Sequence, residues 1–385
     1  MAILQILISL FCLGFLVWVS NYFSKRFKLP VVILALVFGI LFKSVLNYFG
    51  VAEFYFDYFL ILGLIAFIIL VFDGFVRLKL RDVDTVGVHS FGFVVLFASL
   101  IFVGFSLVLY FLLDWSPLSS VVFAASILGV SSSVVFLPKV SSYLSAIVSL
   151  ESYWTGPVAL LLPLIFVIFA PPLPLIFVSD LANFVFFAGI KFIASVSAGV
   201  FVGVILLKVL HVTNKDLVPP LVFGSVFVAF GLAYVLGGYG VFAVAALGFF
   251  FANVFVSFNS HFGDFNALFS KYSGLLCVVL LGFVSNFYPS WKFLLISFLL
   301  FLFYLIVRYF VIFICHKKQI LSVKDRSFLV LFAPNGFNAA GILLFLSLFP
   351  PLSVSFIELS KVVNLGLMFI LYSNFTAFVF SKWKK

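Results

Sequence analysis

Long apolar runs, separated by short polar breaks, follow one another along almost the whole of this 385-residue chain. A helix that crosses the ~30 Å hydrocarbon core of a bilayer needs about 20 predominantly apolar residues. Only 9% of the residues are charged, whereas a soluble domain carries about 25%. Such a chain cannot cover a water-facing surface. The sequence therefore predicts an all-α polytopic membrane protein with no soluble domain.

Thirteen of the apolar runs can each form one membrane span. They cover residues 2–20, 30–49, 58–76, 88–113, 117–137, 145–170, 182–210, 218–236, 240–258, 268–288, 291–314, 327–349 and 354–381. The connections between them are short, so we expect the whole chain, residues 1–385, to form a single transmembrane domain.

The basic side chains indicate the orientation of the spans. Of the 22 Lys and Arg residues, 17 fall in connections that follow odd-numbered spans or in the C-terminal tail. Lys and Arg concentrate in the cytoplasmic connections of membrane proteins. We therefore expect the N-terminus outside and the C-terminus in the cytoplasm. We also expect the protein to lie in the plasma membrane. The net charge of +10 then reflects topology, and we expect no nucleic-acid partner.

Two of the spans are interrupted by residues that form poor helix. The interruptions consist, in span five, of Gly129, Ser131, Ser132 and Ser133 and, in span twelve, of Pro334, Asn335 and Gly336. Unwound backbone at membrane depth is tolerated only where it is buried in protein or lines a cavity. Paired interruptions point to the binding site of a transporter. The alternative is that these small residues only let helices pack closely.

The spacing of the two interruptions predicts an inverted repeat. They lie seven spans apart, and an odd offset gives the two halves opposite orientations in the membrane. The first repeat would cover residues 1–170, a linking helix residues 171–216, and the inverted second repeat residues 217–385.

Two opposite charges are predicted at the same depth in the membrane. Glu151 lies six residues from the cytoplasmic end of span six, and Arg308 lies six residues from that of span eleven. At 1.5 Å per residue, both are roughly 9 Å deep. An unpaired charge is costly there. We therefore predict that Glu151 and Arg308 form an ion pair that locks two helices together.

Oxygen atoms suited to an alkali cation surround Glu151 in the sequence. Pro157 frees the carbonyl of Tyr153, because proline lacks an amide hydrogen and opens the helix. Hydroxyl groups lie close by in the chain. The predicted cation and proton site comprises Glu151, Ser152, Thr155, Ser131, Ser132 and Ser133. Asp73, near the inner end of span three, is either a funnel charge on the cation's path or an interfacial residue.

The remaining chemistry-bearing residues do not form a catalytic or metal-binding pattern. The three cysteines lie in apolar surroundings without metal-like spacing. The four histidines lie near span ends and do not cluster: His89, His211, His261 and His316. We therefore expect no enzymatic activity, no cofactor and no metal other than a transported alkali cation.

In their order and placement, these motifs resemble the monovalent cation:proton antiporter superfamily, in particular the prokaryotic sodium/proton antiporters with thirteen spans. The similar segments are Phe72-Asp73-Gly74, Ser131–Ser133 leading to Pro138, Glu151-Ser152-x-x-Thr155-Gly156-Pro157, Arg308, and Ala333-Pro334-Asn335-Gly336. The resemblance implies that helices five and twelve are broken and cross near the midplane. It also implies a Glu151–Arg308 pair, a homodimer, and exchange of a monovalent cation, sodium, for protons across the lipid bilayer.

The chain departs from the family pattern at two positions. The family's ion-binding Asp of span six is replaced by Gly156, and Asn335 replaces the usual Arg of span twelve. Three alternatives follow. Glu151 has become the carrier of the exchanged ions, or the oxygens conduct a cation without proton coupling as a uniporter or leak, or the protein no longer transports and serves as a sensor or subunit.

Overall fold

The computed structural model describes most of the chain, and every regular element in the described part is helical. It covers residues 2–50, 52–78, 80–131, 142–169, 178–213, 217–254, 260–285, 290–315, 323–331, 336–349 and 355–383. Backbone groups within a bilayer have no water to bind, and a helix satisfies them within its own segment.

Fourteen α-helices and one short 3₁₀ turn make up the described structure. They are α1 (Ala2–Phe27), α2 (Val31–Tyr48), α3 (Ala52–Val76), α4 (Leu80–Leu113), α5 (Pro117–Ile127), the 3₁₀ turn Leu128–Ser131, α6 (Ser142–Phe169), α7 (Val178–Val212), α8 (Val218–Val235), α9 (Gly240–Val254), α10 (Ser260–Val284), α11 (Trp291–Cys315), α12 (Val323–Leu331), α13 (Phe337–Leu348) and α14 (Phe356–Trp383).

Each of the thirteen predicted spans overlaps one described helix, except span twelve, which overlaps the two helices α12 and α13. Within the described residues, nine helices are long and apolar enough to cross a membrane. Four shorter apolar helical segments lie at predicted spans five, six, nine and twelve. The prediction of an all-helical membrane protein is confirmed, while the number of crossings stays a prediction.

Two helices begin about two turns earlier than the apolar runs indicated. The helix α4 starts at Leu80 and α10 at Ser260, whereas the predicted spans start at residues 88 and 268. An apolar run marks only the part of a helix that lies in hydrocarbon. The polar first turns of both helices continue the same hydrogen-bonded backbone past that boundary.

The helices pack in two groups. One, which we call the α3/α10 group, comprises α1, α2, α3 and α7 to α10. The other, the broken-helix group, comprises α4, α5, α6 and α11 to α14. The groups meet mainly where α3 and α10 pack against α6 and α13. The apolar segment of α3 is 72% buried, against 22% for α1, so α3 is central and α1 peripheral.

Glycine allows a close helix contact in the α3/α10 group. A Cβ on Gly39 of α2 would collide with the carbonyl oxygen of Val279 in α10. A Cβ on Gly282 of α10 would lie 2.5 Å from the carbonyl oxygen of Leu36 in α2. Small residues let two membrane helices approach this closely, so α2 and α10 form a tightly packed pair.

Candidate functional site

Span five breaks after a short, capped helix. Ser116 is the N-cap of α5: its side-chain oxygen accepts a hydrogen bond from the Ser119 amide at 3.3 Å, and Pro117 follows at the first helical position. This is a favourable helix start. The α-helix ends at Ile127 and continues as the 3₁₀ turn Leu128–Ser131. The predicted residues Ser132 and Ser133 lie outside the described residues.

Span twelve consists of two half-helices. The first, α12, ends at Leu331, and the second, α13, begins at Phe337. Gly336, directly before α13, has φ of 54°, a left-handed conformation that glycine adopts without steric cost. The predicted residues Pro334 and Asn335 lie outside the described residues.

The two interrupted spans cross in backbone contact. Gly129, in the 3₁₀ turn, is buried. A Cβ at this position would lie 2.6 Å from the amide nitrogen of Ala339 and 2.9 Å from its Cα. The same turn also packs against α6. The crossing of spans five and twelve therefore lies beside the helix that carries Glu151.

Glu151 and Arg308 form an ion pair in the protein interior. The Nη1 atom of Arg308 is 2.7 Å from Oε1 of Glu151, and its Nη2 atom donates to Oε2 at 2.8 Å. Glu151 is 4% exposed and Arg308 1% exposed. The pair joins α6 to α11, the two helices that the depth argument selected.

Arg308 has further partners that sequence reasoning missed, among them a backbone carbonyl group and an aromatic ring. Its Nε atom donates to the carbonyl oxygen of Leu329 at 3.0 Å, and its guanidinium carbon lies 5.6 Å from the centre of the Phe97 ring. Leu329 belongs to the last turn of α12, where carbonyl groups have no partner within the helix. The one sequence feature that could have indicated the contact with Leu329 is the position of Arg308 itself, a basic residue in the span before the broken span twelve.

The structure describes some of the other predicted residues around Glu151 with their side chains and others only by their backbone. Thr155 is buried, and its hydroxyl group donates to the carbonyl oxygen of Glu151 at 2.9 Å. Gly156 is buried and contributes no titrating group. The backbones of Ser152 and Ser131 are helical, but their side chains are not among those that the structure describes.

Asp73 is buried in a polar cluster between α3 and α10. It is 6% exposed. Asn266 Nδ2 donates to its Oδ1 at 2.7 Å, and the Ser270 hydroxyl donates to its Oδ2 at 2.6 Å. Arg77 contacts both oxygens, with Nε 3.0 Å from Oδ1 and Nη2 2.8 Å from Oδ2. The negative charge of Asp73 raises the pKa of the Arg77 guanidinium, because it favours the protonated form.

Sequence reasoning named Asp73 but not its partners in α10. Asn266 and Ser270 are four residues apart and therefore share one helix face. The contact could not be predicted from the sequence, because both residues are almost 200 positions away from Asp73. Within the part of the chain that the structure describes, no group of three or more His, Cys, Asp or Glu residues is placed to hold a metal ion.

Comparison with known proteins gives a family and a fold. Residues 9–349 match the family described as sodium/hydrogen exchanger, transmembrane. The fold is similar to two structures of the sodium proton antiporter MjNhaP1 from Methanocaldococcus jannaschii. The first has a TM-score of 0.67 and 16% identity, covering 97% of this chain and 99% of that one. The second has a TM-score of 0.66 and 18% identity, covering 98% and 96%. No curated protein matches the chain. This chain belongs to the sodium/hydrogen exchanger family.

Proposed function

We propose that this protein exchanges sodium for protons across the plasma membrane, as a homodimer with its N-termini outside and its C-termini in the cytoplasm. Membership of a transporter family and the antiporter fold support exchange of a cation for protons. We choose sodium because the chain belongs to the sodium/hydrogen exchangers and because its fold is similar to that of the sodium proton antiporter MjNhaP1. The site lies where the broken spans five and twelve cross.

We propose Glu151 as the group that carries the proton and the cation in turn. It is the only acidic residue in predicted spans five, six and twelve, and it lies on the helix beside the crossing of two broken spans. An exchanger of this kind needs a carboxylate that is ionised with the cation and neutral with the proton. This single buried carboxylate is the observation that carries the proposal.

The partners of Arg308 support this role for Glu151. When Glu151 takes up a proton, the charge on Arg308 loses its ionic partner. The Leu329 carbonyl and the Phe97 ring still contact the guanidinium group. A cation held over an aromatic face is stabilised by the ring's negative charge distribution. Arg308 can therefore stay in place while the protonation state of Glu151 changes.

The cation would be held by oxygen atoms of the crossing and of α6. We propose the Glu151 carboxylate, the hydroxyl groups of Ser152 and Thr155, and those of the serine triplet Ser131–Ser133. Hard cations bind oxygen ligands such as carboxylates, and unwound backbone carbonyls of discontinuous helices can add to them. The Thr155 hydroxyl donates its proton to the backbone, so its lone pairs remain available to a cation.

We also propose that residues 1–170 and 217–385 are inverted repeats, joined by a linking helix at 171–216. The repeat would map α2 onto α9 and α10 onto α3. The same kind of glycine contact joins α2 to α10 and, in the other proposed repeat, α9 to α3. Gly39 of α2 packs on the backbone of Val279 in α10, and Gly248 of α9 packs on the backbone of Phe72 in α3.

A polar contact at the ends of these helices is also present in both proposed repeats. Lys43 of α2 donates to the carbonyl oxygen of Ser285, directly after α10, at 2.8 Å. Asn253 of α9 donates to the carbonyl oxygen of Leu78, just after α3, at 2.9 Å. The last carbonyls of a helix need such external donors. The repeated glycine and end contacts support the proposed symmetry.

The proposal is tested by cation-induced dissipation of a pH gradient in proteoliposomes. We expect sodium to dissipate the gradient with the wild-type protein and not with Glu151→Gln. The matched control is Asp57→Asn, which removes an exposed acid of α3 and should exchange normally. The double variant Glu151→Gln/Arg308→Gln leaves no unpaired buried charge. If it folds and still exchanges, Glu151 is only a structural partner and the assignment is wrong.

Gly156 supports a second candidate function. The position that carries the ion-binding Asp in the resembling antiporters has no carboxylate here, so the remaining oxygens would conduct a cation without proton coupling, or the protein would serve as an inactive sensor or subunit. Gly156→Asp separates these functions from the first. If the wild type is silent and Gly156→Asp exchanges, the scaffold is an antiporter that has lost its working residue.

A further inference from the structure

A second buried carboxylate lies outside the proposed exchange site. Asp73 accepts hydrogen bonds from Asn266 and Ser270 of α10 and forms an ion pair with Arg77. The Oδ1 atom of Asn266 is fully buried and has no hydrogen-bond partner among the described residues. A buried amide oxygen without a donor is uncommon in folded proteins. It belongs to the same amide group whose nitrogen binds Asp73.

We propose that Asp73, Asn266 and Ser270 form a second monovalent-cation site at the cytoplasmic end of α3 and α10, and that Arg77 occupies this site as a tethered competitor of the cation. The inference rests on the proposed function, because it takes the exchanged cation as the ligand. It adds a place where that cation binds before it reaches the crossing of the broken spans.

The oxygen atoms present are those that a sodium ion binds. Both carboxylate oxygens of Asp73, the hydroxyl oxygen of Ser270 and the amide oxygen of Asn266 lie in one cluster. Hard cations select carboxylate, carbonyl and hydroxyl oxygens over nitrogen and sulfur. The Asn266 amide oxygen, which accepts no hydrogen bond from the described residues, would gain a partner when the cation binds.

Arg77 is placed to leave the site while Asp73 remains in it. The Arg77 side chain is 50% exposed, whereas that of Asp73 is 9% exposed. Arg77 directly follows Val76, the last residue of α3, so its guanidinium group can move into water without leaving a buried cation unpaired. A sodium ion bound to the Asp73 carboxylate would then take the place of the positive charge of Arg77.

Toward the opposite end of the same helix pair, phenylalanine rings pack between the helices. There the Phe59 and Phe283 rings lie 5.0 Å apart, and the Phe42 and Phe59 rings lie 5.8 Å apart. Aromatic rings in edge contact exclude water and offer no oxygen ligands. The polar cluster is therefore accessible from the end that carries Arg77, which the basic residues place in the cytoplasm.

The inference is tested by equilibrium binding of ²²Na⁺ to the purified protein in detergent. We expect Arg77→Ala to bind sodium about fivefold more tightly than the wild type, the order expected when an ion pair with one exposed partner is released. The matched control is Lys208→Ala, an exposed basic residue of α7 on the predicted cytoplasmic side, which should leave binding unchanged. In the Arg77→Ala background, Asp73→Asn, Asn266→Leu and Ser270→Ala should each remove the gain.

Two outcomes would overturn the inference. Either Arg77→Ala binds sodium no more tightly than Lys208→Ala, or the tighter binding survives in Arg77→Ala/Asp73→Asn. Binding is measured without transport, so the two proposals fail separately. A wild type that does not exchange in liposomes defeats the proposed function, whereas unchanged binding in folded Arg77→Ala defeats only the second site.

Discussion

Arg308 connects three helices to its own through different parts of one guanidinium group. It pairs with Glu151 of α6, donates to Leu329 of α12 and lies over Phe97 of α4. Glu151, by contrast, has Arg308 as the partner of both carboxylate oxygens. The two residues of the pair are therefore not equivalent, and this asymmetry can be measured.

We predict that Arg308→Gln destabilises the fold more than Glu151→Gln does. Removal of one member of a buried ion pair costs about 3–5 kcal/mol, and Arg308→Gln should fall in this range because the Glu151 carboxylate loses its partner. Glu151→Gln should cost less, since Arg308 keeps Leu329 and Phe97. Thermal unfolding of both variants in detergent checks the order. Equal or reversed melting temperatures would contradict it.

At this scale the sequence predicted charges but not their neutral partners. Matching depth and opposite sign were enough to select Glu151 and Arg308. The Leu329 carbonyl could not be found this way, because every residue has a carbonyl and only the end of a half-helix leaves one free. Asn266 and Ser270 were missed because pairing across distant helices leaves no local pattern.

The crossing of the broken spans depends on one glycine. The nearest atoms to a Cβ at Gly129 belong to the backbone of Ala339, which cannot rotate away as a side chain could. Gly14 of α1, in contrast, has nothing within 4 Å of such an atom. The two positions differ in surroundings while the chemical change is the same.

We predict that Gly129→Ala strongly reduces exchange, whereas Gly14→Ala does not. The added methyl group should push α13 away from the 3₁₀ turn, at a cost of about 1–3 kcal/mol. Sodium-dependent exchange and melting temperature should be measured for both variants. Unchanged exchange in Gly129→Ala would show that the close approach of the two spans is not needed for transport.

Elements were predicted well in position and less well in extent. The breaks of spans five and twelve were visible because Gly, Ser and Pro interrupt apolar runs. The early starts of α4 and α10 were not, since polar residues such as Arg81 and Asp82 end an apolar run without ending a helix. Hydropathy detects the bilayer boundary, and backbone hydrogen bonding determines the helix.

At the scale of the whole molecule, the predicted orientation in the membrane determines which sites face the cytoplasm and which face the outside. Lys208 of α7 and Lys292 of α11 are both exposed, and the span count places them on opposite sides. In a variant without native cysteines, Lys292→Cys should react with an impermeant maleimide in intact cells. Lys208→Cys should react only after permeabilisation. The reverse pattern would invert the proposed topology.

The fold class could be predicted from the composition and the apolar runs, because a chain with 9% charged residues cannot cover a water-facing surface. The grouping of helices around α3 and α10 was not predictable in this way. Membrane helices are apolar on all sides, so hydrophobic periodicity does not indicate which face contacts which neighbour. Packing of small residues such as Gly39 decides it.

The central claim is that sodium movement is coupled to protons, and ²²Na⁺ uptake against its gradient tests it most directly. Proteoliposomes would be loaded acidic inside, with the membrane potential clamped by potassium and valinomycin. We predict that the wild type accumulates ²²Na⁺ above the external concentration and that a protonophore abolishes the accumulation. Uptake that only equilibrates with the external sodium, whether or not a pH gradient is present, would contradict coupled exchange and identify an uncoupled leak.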